Sequence, residues 1–197
     1  MPTTGFQLLR TGFVLCMLLL ISSCASVISA TSGDDGIEEN RGRRSMGAVI
    51  DDGSIETTIK VNLNAADELL KKSNINVESF NGTVLLVGQV PSQDMKNLAT
   101  RVARSSSSRV KEVYNELEVS GATTFLSRTN DAWLAAKIKT LMLADAEVSG
   151  MRTKVVTENG VVYLMGLLTQ EEANKAVNLV SNTKGVTKVV RAFEYIN

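Results

Sequence analysis

The strongest constraint on the fold of this chain is that it repeats itself. Asn81-Gly82-Thr83-Val84-Leu85-Leu86-Val87-Gly88 matches Asn159-Gly160-Val161-Val162-Tyr163-Leu164-Met165-Gly166, the second segment lying 78 residues after the first. Upstream, Ile55 and Ile59 match Leu134 and Ile138; downstream, Val110 and Val113 match Val186 and Val189, with small gaps between. Similarity sustained at so long a period marks a duplicated structural unit. Whatever one copy folds into, the other must fold into as well.

Each copy reads helix, strand, strand, helix, strand. In the first, Ile55, Ile59, Leu63, Ala66 and Leu70 recur at helical spacing, and Asn74 with the β-branched residues after it ends that pattern. The sequence predicts strands over Ile75–Phe80 and Thr83–Val90, joined by Asn81-Gly82, a dipeptide suited to the left-handed conformations of a tight hairpin turn. Pro91 is expected at the first position of the next helix, where its missing N–H costs little. Met95, Leu98, Ala99 and Val102 supply that helix's buried stripe, and Val110–Glu118 closes the sheet. The fold class is therefore α+β: two tandem αββαβ modules, each a three-stranded sheet packed on two helices. A core built from about 65 residues is marginal alone, and the short polar link Ser120–Arg128 suits either side-by-side packing or limited swivelling.

Composition narrows the chemistry. Lys+Arg and Asp+Glu balance at 21 each, so the whole molecule has no field to recruit nucleic acid. There is no histidine, which removes the usual general base and the commonest metal ligand. No metal-ligand cluster, cofactor-binding loop or catalytic constellation is found. The adjacent pairs Asp67-Glu68 and Glu171-Glu172 point to different azimuths of their helices and read as solvated or first-turn charges. The expectation is a non-enzymatic protein without metal or cofactor.

The first 23 residues carry one charged side chain, Arg10, and an apolar run from Phe13 to Ile21, the layout of a signal peptide. Ile21-Ser22-Ser23-Cys24 resembles the lipobox of bacterial lipoproteins, and the resemblance implies acylation (palmitate among the acyl groups) of Cys24 as the new N-terminus. Loss of Cys16 on cleavage leaves Cys24 as the sole thiol, a liability in an oxidising compartment unless modified. Ala25 follows where inner-membrane retention would want Asp, so the resemblance implies an outer-membrane anchor facing the periplasm. From Ala25 to about Asp51 the chain is rich in Ser, Gly and charge and reads as a flexible tether, reaching roughly 30 Å on average. The expected divisions are 1–23 signal peptide, 24–51 lipidated N-terminus and tether, 52–119 first module, 120–128 linker and 129–197 second module.

Paired modules with this order of elements, a strand closing on Gly88 or Gly166, and a late Gly185-Val186 resemble BON domains, and with the lipobox in front the chain resembles dual-BON outer-membrane lipoproteins. Copy one departs from the pattern with Arg109-Val110, after the run Ser105–Ser108. The resemblance implies a role in envelope integrity, enrichment at division sites, and contact with anionic phospholipid through the first helix of the second module, where Trp133 occupies the matching position.

The residues of that helix point the same way on their own. Leu134, Ile138, Leu141 and Met142 form its core stripe, while Trp133, Ala136, Thr140 and Leu143 lie roughly 100° away or more, flanked by Lys137 and Lys139. The corresponding face of copy one, Ser54, Thr57, Val61 and Asn64, is mostly polar. Nine positive against seven negative charges from Arg128 to Asn197 contrast with eight of each from Ser54 to Glu118. An indole beside lysines suits the headgroup boundary of an anionic membrane, so the expected phospholipid-binding residues are Trp133, Lys137, Lys139 and Leu143. Two other placements remain open for Trp133, a staple at the helix start or the seam between modules, and Asn130 or Asp131 is expected to cap the helix in either case. The rival functions are a periplasmic interaction scaffold for outer-membrane assembly or cell-wall remodelling proteins, and a membrane-perturbing, hemolysin-like factor.

Overall fold

The computed structural model describes residues 42–120 and 125–197. The expected signal peptide, Cys24 and most of the expected tether lie outside the described residues. The first helix, α1 (Met46–Ala66), begins at Ser45, whose hydroxyl accepts the Ala48 N–H. Helix therefore extends back into the stretch expected to be tether. Ile55, Ile59 and Leu63 face inward as their spacing predicts, but Asp67 leaves the helical conformation and its carboxylate caps a separate helix, α2 (Glu68–Lys72), by accepting the Leu69 N–H. The single helix expected through Leu70 is thus two, with Leu70 buried and Ala66 exposed.

Strands β1 (Asn74–Phe80) and β2 (Thr83–Val90) are joined by Asn81-Gly82, both at positive φ, 52° and 81°. A two-residue turn of this kind matches the twist of the strands it connects. Helix α3 (Gln93–Ser105) is capped by the Ser92 hydroxyl, which accepts the Met95 N–H, so Pro91 precedes the cap instead of opening the helix. Strand β3 (Glu112–Val119) begins later than the apolar pattern suggests, because Val110 packs on the core from the turn before the strand. The second copy repeats the order as α4 (Phe125–Ala144), a 3-10 turn (Gly150–Arg152), β4 (Thr153–Glu158), β5 (Val161–Leu168), α5 (Gln170–Ser181) and β6 (Lys188–Tyr195). Helix α4 starts inside the expected linker. A reciprocal capping box of Thr169 and Glu172 starts α5.

In each sheet the second strand is central, antiparallel to the first and parallel to the third. A parallel third strand needs a crossover, and α3 and α5 provide it. Val84, Leu86 and Val90 of β2 pack with Val77, Val113 and Leu117 against Ile55, Ile59, Ala99 and Ala103. Their counterparts Val162, Leu164 and Leu168 meet Leu134, Ile138, Ala173 and Ala176 in the second copy. The alternate residues of the same strands form a third cluster: Leu85, Val87 and Phe80 from the first sheet with Val156, Tyr163, Met165, Leu167 and Ala192 from the second. The copies therefore pack sheet against sheet, with helices outside. Every residue of β2, and all but the first of β5, is buried, which explains why these strands read as continuous apolar runs without alternation.

Polar contacts at the seam echo the duplication. Asn81 Nδ2 donates to Glu194 Oε2 at 2.7 Å, and its counterpart Asn159 donates to Glu118 Oε2 at 3.3 Å. Lys154 reaches across to Glu56 at 2.8 Å and Glu78 at 2.5 Å. Burial pushes its pKa down, but the hydrogen bonds it donates to both carboxylates, with their charge, outweigh that and hold it above the ordinary lysine value.

Each hairpin turn is tied to the first helix of its copy by a carboxylate. Asp52, inside α1, accepts from Ser79 Oγ at 2.7 Å, Asn81 N at 2.8 Å, Gly82 N at 2.9 Å and Arg44 Nη1 at 2.7 Å. In the second copy Asp131 accepts from Asn159 N at 2.8 Å and Gly160 N at 2.9 Å. Asp131 was expected at a helix cap; because α4 begins at Phe125, it lies well inside the helix and serves the turn instead.

Two consequences are measurable. Burial alone would raise the Asp52 pKa, yet its donors hold the carboxyl below the ordinary value of 3.8. Its stabilising contribution is therefore complete above that value and is lost as pH falls through the lower, folded-state value. Asp52→Asn is expected to cost about 1.5–3 kcal/mol in urea unfolding at neutral pH, with the gap to wild type narrowing in acid. In the seam, Met165→Ala is expected to cost about 2–5 kcal/mol in the same assay, since it opens a cavity between two sheets that cannot collapse independently.

Candidate functional site

Helix α4 buries Leu134, Ile138 and Met142 and turns its other side to solvent. Trp133 is 65% exposed, which takes its ring out of both the helix–sheet core and the seam, the latter built from sheet residues. Lys137 Nζ lies 5.4 Å from the indole centroid and donates to the Lys184 carbonyl at 3.1 Å. A cation over an indole face is attracted by the ring quadrupole, so this lysine is held beside the ring. Leu143, ten residues along and hence about 15 Å down the axis, is 54% exposed.

Lys139 does not join them. One residue turns a helix by about 100°, so two positions beyond Lys137 its side chain leaves from nearly the opposite side. Its ammonium donates to the carbonyls of Gly150 at 2.6 Å and Thr153 at 2.7 Å. Burial pushes its pKa below the ordinary lysine value. The expectation that Lys139 flanks the exposed face is corrected: it straps the 3-10 turn to the helix. Leu141, expected in the core stripe, is 38% exposed and lines a groove beside α5.

The strapped turn brings in a residue that periodicity could not find. Gly150 sits so close to the end of α4 that an added Cβ would come within 2.4 Å of the Met142 carbonyl oxygen. The next residue, Met151, is 86% exposed. A loop methionine belongs to no helical stripe, so only the fold places it near Leu143. The exposed large side chains on and beside α4 include Trp133, with Lys137 against its ring, and, about 15 Å farther along the axis, Leu143 and the neighbouring-loop Met151.

Copy one offers no such surface at the matching place. Ser54 stands where copy two has Trp133, and Arg109, at the position of Gly185, donates to Ser54 Oγ at 3.4 Å and pairs with Asp51 at 3.2 Å. In copy two Gly185 has φ of 105° and no side chain. A hollow of about 390 Å³ there is lined by Trp133, Leu134, Asn130, Asn159, Gly160 and Gly185 among others, and copy one has a counterpart of about 320 Å³ lined by Asp52, Ile55, Asn81, Gly82 and Arg109 among others. Among the described residues, no helix is long and apolar enough to cross a membrane.

Comparison with known proteins agrees with the duplicated fold. The BON domain model matches residues 51–121 and again 130–197. The chain is 38% identical over 154 residues to the outer membrane lipoprotein DolP of Haemophilus influenzae, covering 78% of this chain and 79% of that protein. It is 35% identical over 153 residues to a 21 kDa hemolysin of Actinobacillus pleuropneumoniae, covering 78% of each. To the osmotically-inducible protein Y of Escherichia coli it is 28% identical over 162 residues, covering 81% of this chain and 80% of that protein. Both matched segments carry the same αββαβ unit, and the chain belongs to the BON-domain family.

Proposed function

We propose that this chain is a non-catalytic outer-membrane lipoprotein whose second BON module docks on anionic phospholipid through α4, supporting envelope integrity at sites including those of division. The observation that carries the reading is the solvent-facing Trp133, with Lys137 against its ring, on a helix that also exposes Leu143. An indole rests favourably where its body meets acyl chains and its N–H stays hydrated, and a nearby lysine gains about 1 kcal/mol from an anionic surface. The likeness to an outer membrane lipoprotein and the lipobox-like Ile21-Ser22-Ser23-Cys24 support an acyl anchor facing the periplasm. Anchor and helix then act as two signals for one surface.

The likeness to a hemolysin favours a second reading, in which the same surface perturbs bilayers. Dye release from vesicles at low protein-to-lipid ratio separates the two: docking leaves the dye inside, whereas a lytic factor releases it.

Trp133 is the chain's only tryptophan, so its emission reports docking directly. A blue shift is expected with anionic vesicles and none with zwitterionic ones. Trp133→Glu reverses both the apolar and the electrostatic contribution and is expected to lower co-sedimentation with anionic vesicles by about tenfold or more. Unchanged binding would remove the helix from the account. Cys24→Ser is expected to release the protein from the membrane fraction of cells while leaving its vesicle docking through α4 intact.

A further inference from the structure

Between α4 and α5 runs a groove of about 490 Å³ that shares Lys137 with the docking surface described above and is otherwise separate from it. Its volume is that of a small-ligand site. Leu141, Val148 and Leu179 give it an apolar floor, and its ends differ in charge. Lys137, at the Trp133 end, donates from its ammonium to the backbone carbonyl of Lys184, which also lines the groove. Among the described residues neither ammonium has a carboxylate partner within ion-pair distance, whereas Lys175, farther along, is engaged by Glu147 and Glu171. Asp145 and Glu147 also line the groove. An anion is therefore favoured at the lysine end and opposed at the other.

Asn178 and Asn182 lie one turn apart on the α5 side. Asn182 Nδ2 donates to the Asn178 carbonyl at 2.9 Å and to Asn178 Oδ1 at 3.1 Å. Among the described residues the Asn178 NH2 makes no such bond and remains a donor. Hydroxyl groups of a ligand would find here a donor in Asn178 and acceptors in the Asn182 and Asp145 oxygens.

Copy one serves as an internal comparison. Thr58 stands at the position of Lys137, and Asn62, at the position of Leu141, donates to Ser106 Oγ at 3.0 Å, strapping α1 to α3. The basic, open arrangement belongs to copy two.

We propose that the α4–α5 groove seats the headgroup of one membrane lipid: its phosphodiester between Lys137 and Lys184, and a hydroxylated substituent toward Asn178 and Asn182. This rests on the membrane-docking reading and adds to it the element that selects a lipid. The depth is consistent, since an oxygen hydrogen-bonded to Lys137 Nζ lies within about 8 Å of the indole, and tryptophan rings settle at headgroup level.

The test uses the isotope-labelled protein and short-chain phosphatidylglycerol below its micelle concentration, where no membrane is present. Saturable amide shifts are expected at Lys137, Asn178, Asn182 and Lys184, and not with short-chain phosphatidylcholine. Asn178→Leu changes no charge and suits a helix interior, yet is expected to weaken this binding about fivefold, as loss of one hydrogen bond would. Lys184→Ala is expected to weaken it about fivefold, and Lys72→Ala, on the first module, not at all. Shifts confined to the outer face of α4, indifference to Asn178→Leu, or equal saturation by inorganic phosphate or by phosphatidylcholine would each overturn the headgroup seat. If Trp133→Glu still abolishes vesicle binding in that case, the docking reading stands without it; if Trp133→Glu changes nothing, the docking reading fails first.

Discussion

Burial of the two central strands on both faces is the constraint from which the rest of the molecule follows. Leu86 and Leu164 point to the helices of their own copies, while Leu85, Val87, Tyr163 and Met165 point to the other copy's sheet. A single module standing alone would expose this second set as a contiguous apolar face, which soluble proteins rarely tolerate. Duplication supplies the cover. The third cluster also removes the difficulty of size, because two marginal cores share a layer that neither could complete separately.

The seam follows an approximate two-fold relation, as expected when one surface packs against a copy of itself, and it departs from that relation where the copies have diverged. The exchange of Asn81–Glu194 and Asn159–Glu118 is reciprocal. At another pair of matched positions, Gln89 donates to Glu158 at 2.7 Å, while the counterparts are Leu167 and Phe80, both in the apolar cluster. Phe80 further carries Arg44 stacked at 3.8 Å over its ring. Burial, then the carboxylates of Glu116, Glu118 and Glu158, push the Tyr163 pKa up, so the phenol stays neutral within the seam. Unlike ends of this kind favour pairing of one copy with the other over pairing of like with like.

Using the sheets for the seam leaves the helices facing outward, and this is where the copies differ in chemistry. The carboxylate of Asp52 or Asp131 fixes each first helix to its hairpin turn, so position 54 of copy one and position 133 of copy two occupy equivalent places. One holds a serine bonded to an arginine, the other an exposed indole. The same scaffold thus presents a small polar side chain at this place in one copy and an aromatic one in the other. Lys139, by holding the 3-10 turn against α4, fixes the place of the exposed Met151.

What could be read from residues alone was what local geometry controls. Asn-Gly tolerates positive φ wherever it occurs, so both hairpins were legible. The helical repeat sets azimuth, so the inward path of Ile55, Ile59, Leu134 and Ile138 and the outward path of Trp133 and Leu143 were legible too. The break at Asp67 was not, since capping a new helix competes there with continuing the old one. Nor was the destination of long side chains: Lys139 and Lys137 differ by two positions, yet one is drawn to carbonyls eleven and fourteen residues away and the other to a ring on its own helix. Pairing of the two sheets, service of Asp131 to a distant turn, and the groove between α4 and α5 likewise depend on groups far apart in the chain. Periodicity reports which way a residue leaves its own element; what it meets there is decided by the packing of elements that the local sequence does not encode.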